Sequence, residues 1–363
     1  MQVFDTLHEL GHEQVVLCSD PVTGLRAIVA IHNTSLGPAL GGTRMWQYAS
    51  DADAITDALR LSRGMTYKAA VSGVNLGGGK AVIIGNPHKD KSEGLFRAYG
   101  RFVETLRGRY ITAEDVGTSV RDMEWIRMET RFVTGVGGNG GSGDPSPVTA
   151  LGVYSGMKAA AKKVYGSDSL SGKRVVVQGA GNVATYLVQS LTKEGAHVYV
   201  SDIYADKAEA LAASTGATVI APEAVFTTPC DIFSPNALGA ILNDETIPQL
   251  TCAIVAGGAN NQLKEERKHA EALRDREILY APDYVINAGG LMNVASEVEG
   301  YNREKVMRQA EGIYDITMNI LNIAAERNIL TLEASNAIAE DRIMKMRHVH
   351  GNYIGTPSIR GER

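Results

Sequence analysis

Apolar and polar positions along this chain change period from two to about three and a half and back, so strands and helices can be placed in turn. Residues 24–33 (GLRAIVAIHN) read as a strand. Gly37 to Arg44, with the adjacent pair Gly41-Gly42, reads as a turn. Ser50 and Asp53 have capping-box spacing, and Ile55, Ala58, Leu59, Leu61 and Met65 follow at helical intervals. If that helix continues through Gly64, Met65 and Lys68 lie on one face. Val74 to Ile84 (VNLGGGKAVII) holds three glycines, which taken alone read as a turn, then Lys80 and an apolar run that predicts a buried strand. A helix is expected over 92–107. Tyr110 to Thr118 (YITAEDVGT) predicts a strand running into a loop, with Glu114 and Asp115 at its end. Such carboxylates are either a helix N-cap or catalytic acids. The six glycines of 135–144 predict a flexible loop or hinge. Ser146 as N-cap and Pro147 as the first helical residue then open a helix over 147–164.

Beyond the hinge the pattern changes to short apolar strands alternating with helices. Lys173 to Gln178 reads as a buried parallel strand. It enters Gly179-Ala180-Gly181-Asn182-Val183-Ala184, a G-x-G-x-x-A turn that opens a helix, and a second strand from His197 ends at Asp202. Strand, glycine turn, helix, strand and acid together form the dinucleotide fingerprint in its required context. Gly179 makes the tight turn, Gly181 lets the backbone approach a pyrophosphate at the helix N-terminus, and Asp202 accepts from a ribose 2′-hydroxyl. A 2′-phosphate would face the Asp202 charge, so NAD is favoured over NADP. Further strand-like runs cover 218–220, 230–233, 253–256 and 279–287. Turns after them, including Asn260-Asn261 and Asn287-Ala288-Gly289-Gly290, are candidates for the nicotinamide end or equally turns alone, since Asn and Gly dominate turns. From 301 to about 348 the chain is expected to be helical, with a solvated tail after it.

Composition narrows the class. With 363 residues, 44% of them hydrophobic, the chain has material for two domains. Charge is nearly balanced, at 36 basic and 41 acidic residues, which gives no sign of a nucleic-acid or anionic-membrane partner. The N-terminus lacks a signal-peptide core, and no run reaches membrane-spanning length. Three widely spaced cysteines without a CxxC pair fit a reducing cytoplasm.

Two motifs invite chemistry that the sequence does not support. His8-Glu9-Leu10-Gly11-His12 matches H-E-x-x-H, but no third zinc ligand follows at either usual spacing, so no metal site is expected. Gly77-Gly78-Gly79-Lys80 suggests a phosphate loop, yet Val74 stands six residues before the lysine and Ala81 after it, where glycine and a hydroxyl are needed. Lys80 is therefore either a solvated strand-end lysine or a functional amine with a shifted pKa.

Taken in order, these motifs resemble the glutamate/leucine/phenylalanine/valine dehydrogenases over nearly the whole length. The resemblance is carried by Val74 to Pro87, and by Gly37–Arg44, Met65–Lys68, Thr112–Thr118, Pro145–Gly152 and Asn287–Val294. It implies an α/β fold of two domains separated by a cleft. Residues 1–135, completed by a C-terminal helix at about 331–363, would form a substrate-binding and oligomerisation domain, and 136–330 a Rossmann NAD-binding domain. It implies Lys80 and Asp115 as catalytic residues and Lys68 as the partner of a substrate carboxylate. Leu40, Gly41, Gly42, Met65, Ala113, Thr134, Asn261, Leu291 and Val294 would surround the substrate. Gly179, Ala180, Gly181, Asn182, Val183, Asp202, Thr149 and Asn287 would hold NAD. Leu40 replaces a lysine of glutamate-specific members, so an apolar side chain is expected; a carboxylate there would be desolvated without a counter-charge. Ala113, Thr134 and Asn293 match the leucine type, and Leu291 matches the phenylalanine type. The activity implied is reversible oxidative deamination of a branched-chain L-amino acid, by a homo-oligomer, an octamer as the resemblance implies. A phenylalanine-preferring relative, a catalytically silent NAD-binding regulator and a 2-hydroxy acid dehydrogenase are the alternatives.

Overall fold

The computed structural model describes residues 3–137 and 141–350, the last by its backbone. The chain forms two compact units. The first comprises Met1–Gly143, Asn293–Arg303 and Ala339–Arg363, and the second Asp144–Met292 and Glu304–Ile338. The tail beyond 350 lies outside the described residues. Among those described, no helix is long and apolar enough to cross a membrane.

The first unit begins with α1 (Val3–Leu10), β1 (Gln14–Asp20), β2 (Leu25–Asn33), β3 (Ala39–Trp46), α2 (Asp51–Val71), β4 (Gly77–Ile84), α3 (Glu93–Thr105), β5 (Tyr110–Glu114) and α4 (Val120–Arg127). Its five strands pair in the order β1-β2-β4-β3-β5. β3, β4 and β5 run parallel, and β2 is antiparallel to both β1 and β4. α2 covers one face, with Ala54, Ala58 and Leu59 packed on Ile28, Ala30 and Val82. Ser50 caps it as the capping-box spacing predicts, accepting from Asp53 N at 3.2 Å, and the helix does run through Gly64.

The glycine-rich segments differ from the sequence expectation. Gly41-Gly42 and Gly77-Gly78-Gly79 are not turns; they lie inside β3 and β4. The reason is crowding. A Cβ on Gly41 would stand 1.7 Å from the Gly79 carbonyl oxygen, and one on Gly78 would stand 2.1 Å from the Thr66 amide nitrogen of α2. Sheet and helix approach more closely here than any side chain permits. The close neighbours of these glycines are the protein's own atoms, mostly backbone but the Tyr110 ring at Gly79, so the space they leave is already filled.

The second unit is built from α5 (Ser146–Tyr165), β6 (Arg174–Gln178), α6 (Asn182–Glu194), β7 (His197–Ser201), α7 (Ala205–Thr215), β8 (Thr218–Val219), β9 (Ile232–Pro235), β10 (Ile254–Val255), α8 (Glu266–Asp275), β11 (Leu279–Tyr280), α9 (Asp283–Ile286), α10 (Gly289–Glu299), α11 (Arg303–Glu311), α12 (Ile313–Arg327) and α13 (Thr331–His350). α10, α11 and α13 each continue into residues of the first unit. The all-parallel sheet has the order β11-β10-β9-β6-β7-β8. This is the doubly wound dinucleotide order, and its reversal point lies between β6 and β9. Two expectations shift. The run 279–287 is strand only to Tyr280; Pro282, which has no amide hydrogen to donate, precedes the short helix α9. Pro145, not Ser146, occupies the N-cap of α5, and Asp144 Oδ1 accepts from Ser146 N at 2.9 Å.

Candidate active site

In β4 alternate residues share a face. Gly78 and Val82 point toward α2, and so does Lys80 between them. Lys80 is buried, and its amine lies 2.9 Å from Asp115 Oδ2, just past the end of β5. The same oxygen accepts from Arg44 Nε of β3 at 3.0 Å. The far side of the guanidinium donates from Nη1 to Asp57 Oδ2 of α2 at 3.0 Å, which also accepts from the Tyr48 hydroxyl at 2.6 Å. Burial pulls the Lys80 ammonium below its usual range, more strongly than Asp115 pulls it up, and Arg44 adds to the lowering. Burial would raise the Asp115 carboxyl, but Lys80 and Arg44 hold it below the ordinary carboxylate range. Asp115 is thus not the N-cap of α4; Ser119 and Asp122 form that cap.

The surrounding positions are set by the same sheet. Leu40 is buried in β3 and Ala113 in β5. Gly42 pairs with Ala113, and a Cβ on Gly42 would meet Asp115 Cβ at 2.9 Å. Gly41 O accepts from the Tyr110 hydroxyl at 2.6 Å. Thr134 is tied to β5, its amide and hydroxyl both donating to Thr112 O, at 2.9 and 3.2 Å. Met65 and Lys68 share a face of α2, as expected. Lys68 lies about three turns beyond Asp57 on one stripe, and Gly64 between them has open space before it.

The joint between α2 and β4 is held by Arg342 of α13. Its guanidinium donates to the carbonyls of Ala69, Ala70, Gly73 and Val74, and to Asn75 Oδ1 at 2.6 Å. These include carbonyls that end α2, which have no partner within the helix and sit at the negative end of its dipole. Nothing in the pattern of α13 singles out Arg342, because its acceptors are backbone atoms. Glu297 of α10 similarly accepts from the amides of Gly135 and Ser142, at 3.1 and 2.8 Å, on either side of the glycine-rich stretch. Val294 lies on the same helix, and Asn293 there is buried and donates to Ser142 O.

In the second unit Gly179 has φ +98° in its tight turn, beside Asn236 at the sheet's reversal point. Gly181 is the N-cap of α6 with nothing within 4 Å of where a Cβ would stand. The first helical residues, Asn182 and Val183, therefore present amides to open space, as anion binding requires. Asp202 ends β7 and steadies this turn, accepting from Ala180 N at 2.7 Å and Tyr204 N at 2.9 Å. Ile203 beside it is 79% exposed. At the other end of the edge, Asn287 Nδ2 donates to Gly258 O and Asn260 Oδ1, while Asn287 Oδ1 is buried without a partner among the described residues. Asn261 has φ +53°, with Gln262 N fixed on Asp283 Oδ2. Thr149 in the first turn of α5 faces Gly290 of α10, whose Cβ would stand 2.8 Å from its hydroxyl. Leu291 follows in α10, buried.

The motif at His8–His12 is dismantled by the fold. α1 ends at Leu10 and Gly11 turns with φ +76°, so the two histidines do not share a helix. His12 Nε2 lies 3.1 Å from Leu59 O, and burial drops its ring to about 4. Asp244, Glu265 and His269 bring ligand atoms within 4.8 Å of one another. Lys268 already bridges both carboxylates. His269 Nδ1 accepts from Glu265 N, which puts the neutral ring's proton on Nε2, the atom facing Asp244. That arrangement suits an ion-pair cluster rather than a metal.

Comparison with known proteins matches residues 12–132 to the profile of the Glu/Leu/Phe/Val dehydrogenase dimerisation domain. Residues 140–205 and 199–351 match the Glutamate/Leucine/Phenylalanine/Valine dehydrogenase profile. The chain belongs to the Glu/Leu/Phe/Val dehydrogenase family. It is therefore an oxidoreductase acting on amino acids, in a family of NAD(P)-dependent enzymes. Leucine dehydrogenase of Thermoactinomyces intermedius is 56% identical, over 98% of this chain and 97% of that one. Leucine dehydrogenase of Geobacillus stearothermophilus is 54% identical, over 98% and 96%. The crystal structure of L-tryptophan dehydrogenase from Nostoc punctiforme superimposes with a TM-score of 0.85, at 47% identity, over 95% of this chain and 99% of that one. Arg44, Asp57 and Tyr48, linked in a row of hydrogen bonds to Asp115, are neighbours of the Lys80–Asp115 pair that reading by motif does not name as site residues. The usable signal for Asp57 was its place on the Lys68 stripe of α2.

Proposed function

We propose that this enzyme catalyses the reversible, NAD-dependent oxidative deamination of branched-chain L-amino acids, leucine foremost and valine and isoleucine with it, giving the 2-oxo acid and ammonia. The observation that carries the reaction is the contact of the buried Lys80 amine with the partly exposed Asp115 carboxylate. Leu40, buried beside it in β3, supports an apolar substrate, as do relatives above 50% identity that are leucine dehydrogenases.

Residues of the second unit fit a dinucleotide: the open helix start at Gly181, Asp202 for a ribose hydroxyl, and the orphaned Asn287 Oδ1 for an amide donor. Thr149 lies at the Asn287 end. When bound, NAD⁺ accepts the Cα hydride. Lys68 pairs with the substrate carboxylate and fixes its orientation. Lys80 takes a proton from the α-amine, which must be neutral before hydride leaves, and its lowered pKa suits it to that task. Asp115 then holds the water that attacks the iminium carbon and moves protons between that water and Lys80. Gly41, Gly42, Met65, Ala113, Thr134, Asn261, Leu291 and Val294 shape the rest of the site. The enzyme works as a homo-oligomer, an octamer, in the cytoplasm.

The test is NADH formation with leucine, valine, isoleucine, phenylalanine and tryptophan in parallel. Leucine should have the highest kcat/KM; an aromatic amino acid in first place would overturn the substrate assignment and make Leu291 the determinant. Asp202→Ala should raise the KM for NAD⁺ about tenfold or more, the effect of a lost hydrogen bond to a charged group. The KM for leucine should stay the same. An unchanged KM for NAD⁺ would remove Asp202 from the ribose site.

A further inference from the structure

Asp115 carries two cations on a single oxygen. Lys80 Nζ at 2.9 Å and Arg44 Nε at 3.0 Å both meet Oδ2, so neither has the carboxylate to itself. Arg44 is in turn shared: its Nη1 is drawn to Asp57 Oδ2, whose charge is partly spent on the Tyr48 hydroxyl. Burial, and then Asp57, keep the Tyr48 proton on its oxygen, so Tyr48 remains a donor. The result is an alternating row, Lys80–Asp115–Arg44–Asp57–Tyr48. It becomes steadily more open, from Lys80 at 6% side-chain exposure through Asp115 and Arg44 at 22% and 24% to Asp57 at 28%. Its outer end, with Tyr48 and Asp57, lines a cavity of about 520 Å³.

We propose that Arg44 is a positioning residue which, held from behind by Asp57 and Tyr48, divides the Asp115 carboxylate between two cations and so sets the protonation state from which Lys80 works. This rests on Lys80 being the base. The physical case is one of competition. Each increment of Asp115 charge spent on Arg44 is lost to Lys80, and the Arg44 charge itself opposes a second cation nearby. Asp57 counters both effects by neutralising Arg44 from its far side. Arginine suits the place because its fork reaches two carboxylates at once in a fixed geometry, which an ammonium cannot do. The other elements packed on β4 bring their own titratable groups: Lys68 from α2, Tyr110 from β5, and from β2 His32, whose ring is neutral at about 3 because it is buried. Tyr110 is fully buried with its proton held. Tyr110 and His32 make their hydrogen bonds to Gly41 O and to Thr66 and Leu10 O, so the row from Arg44 outward is the adjustable part.

Arg44 and Asp57 therefore act with opposite sign, which a structural role would not produce. The acid limb of kcat/KM against pH, measured with leucine and saturating NAD⁺, reads the enzyme base; the substrate's own amine is common to all variants and cancels. Arg44→Gln should move this limb up by about one pH unit, the size of a unit charge one ion pair away at an intermediate dielectric. Asp57→Asn should move it down. Tyr48→Phe, the mildest change, should move it slightly up, since Asp57 then keeps more charge for Arg44. In parallel, the pH dependence of Lys80 acetylation by an amine-selective reagent, followed by peptide mass spectrometry without substrate, reads the amine directly. Activity that falls equally at all pH values, with both midpoints unmoved in Asp57→Asn and Tyr48→Phe, would overturn the proposal even if Arg44→Gln does not fold. Labelling midpoints that move while the acid limb stays would uphold the role of Arg44 and instead refute Lys80 as the base.

Discussion

Lys80→Ala should lose about three to four orders of magnitude in kcat, the upper part of the range for general acid–base catalysis, while NAD⁺ still binds. The expectation follows from where the amine sits. Lys80 is buried on the α2 face of β4, in contact with Asp115. No water of ordinary basicity replaces an amine whose pKa burial has lowered toward the working range. Lys68 is not expected to take its place, because in the proposed mechanism its charge is engaged by the substrate carboxylate. The residues proposed to hold NAD⁺ lie in the second unit, so cofactor affinity should be untouched. Steady-state kinetics and a fluorescence titration with NADH check the two halves. Turnover within a few-fold of the parent would refute the assignment.

Asp115→Asn should be nearly as damaging, and for two reasons that separate experimentally. The first is chemical. An amide cannot carry protons between water and Lys80, which should cost about two orders of magnitude or more in kcat. The second is electrostatic. Lys80 and Arg44 now share Oδ2; without its charge they face each other across a neutral amide. Removing one partner of a buried pair typically costs about 3–5 kcal/mol, so the thermal midpoint should fall as well. Deprotonation of Lys80 relieves part of that repulsion, and the acid limb should move down. A variant that keeps its midpoint and its pH profile would show that Asp115 is not the counter-charge of Lys80. Differential scanning calorimetry and the same kinetic assay decide it.

Much of the candidate site was legible because its chemistry lies in short motifs with local rules. The G-x-G-x-x-A turn needs only a strand before it and a helix and acid after it, and Gly179 to Asp202 supplies them in order. Lys68 was placed on the Met65 face by helical spacing alone. The glycine segments were harder. Gly41 and Gly78 read as turn residues because glycine usually marks a turn. They are strand residues because of neighbours far along the chain, Gly79 O for the first and Thr66 N for the second. No local rule sees a contact of that kind. Arg342 and Asp57 were missed for a related reason: the first binds backbone carbonyls, and the second gains its meaning only when β3 brings Arg44 to it.

The crowding around those glycines also limits how this enzyme can be re-shaped. Gly41, Gly77, Gly78 and Gly79 each have protein atoms where a side chain would begin, so even alanine is excluded without moving a strand or a helix. In a saturation library these positions would be almost empty, for reasons of assembly and not of chemistry. The tolerant neighbours are those whose side chains already occupy space, Leu40 and Met65 in the first unit and Leu291 in the second. Under the proposed assignment of Leu40, Met65 and Leu291 to the substrate site, retuning of substrate preference would be channelled through that small group, leaving the lysine strand as it is.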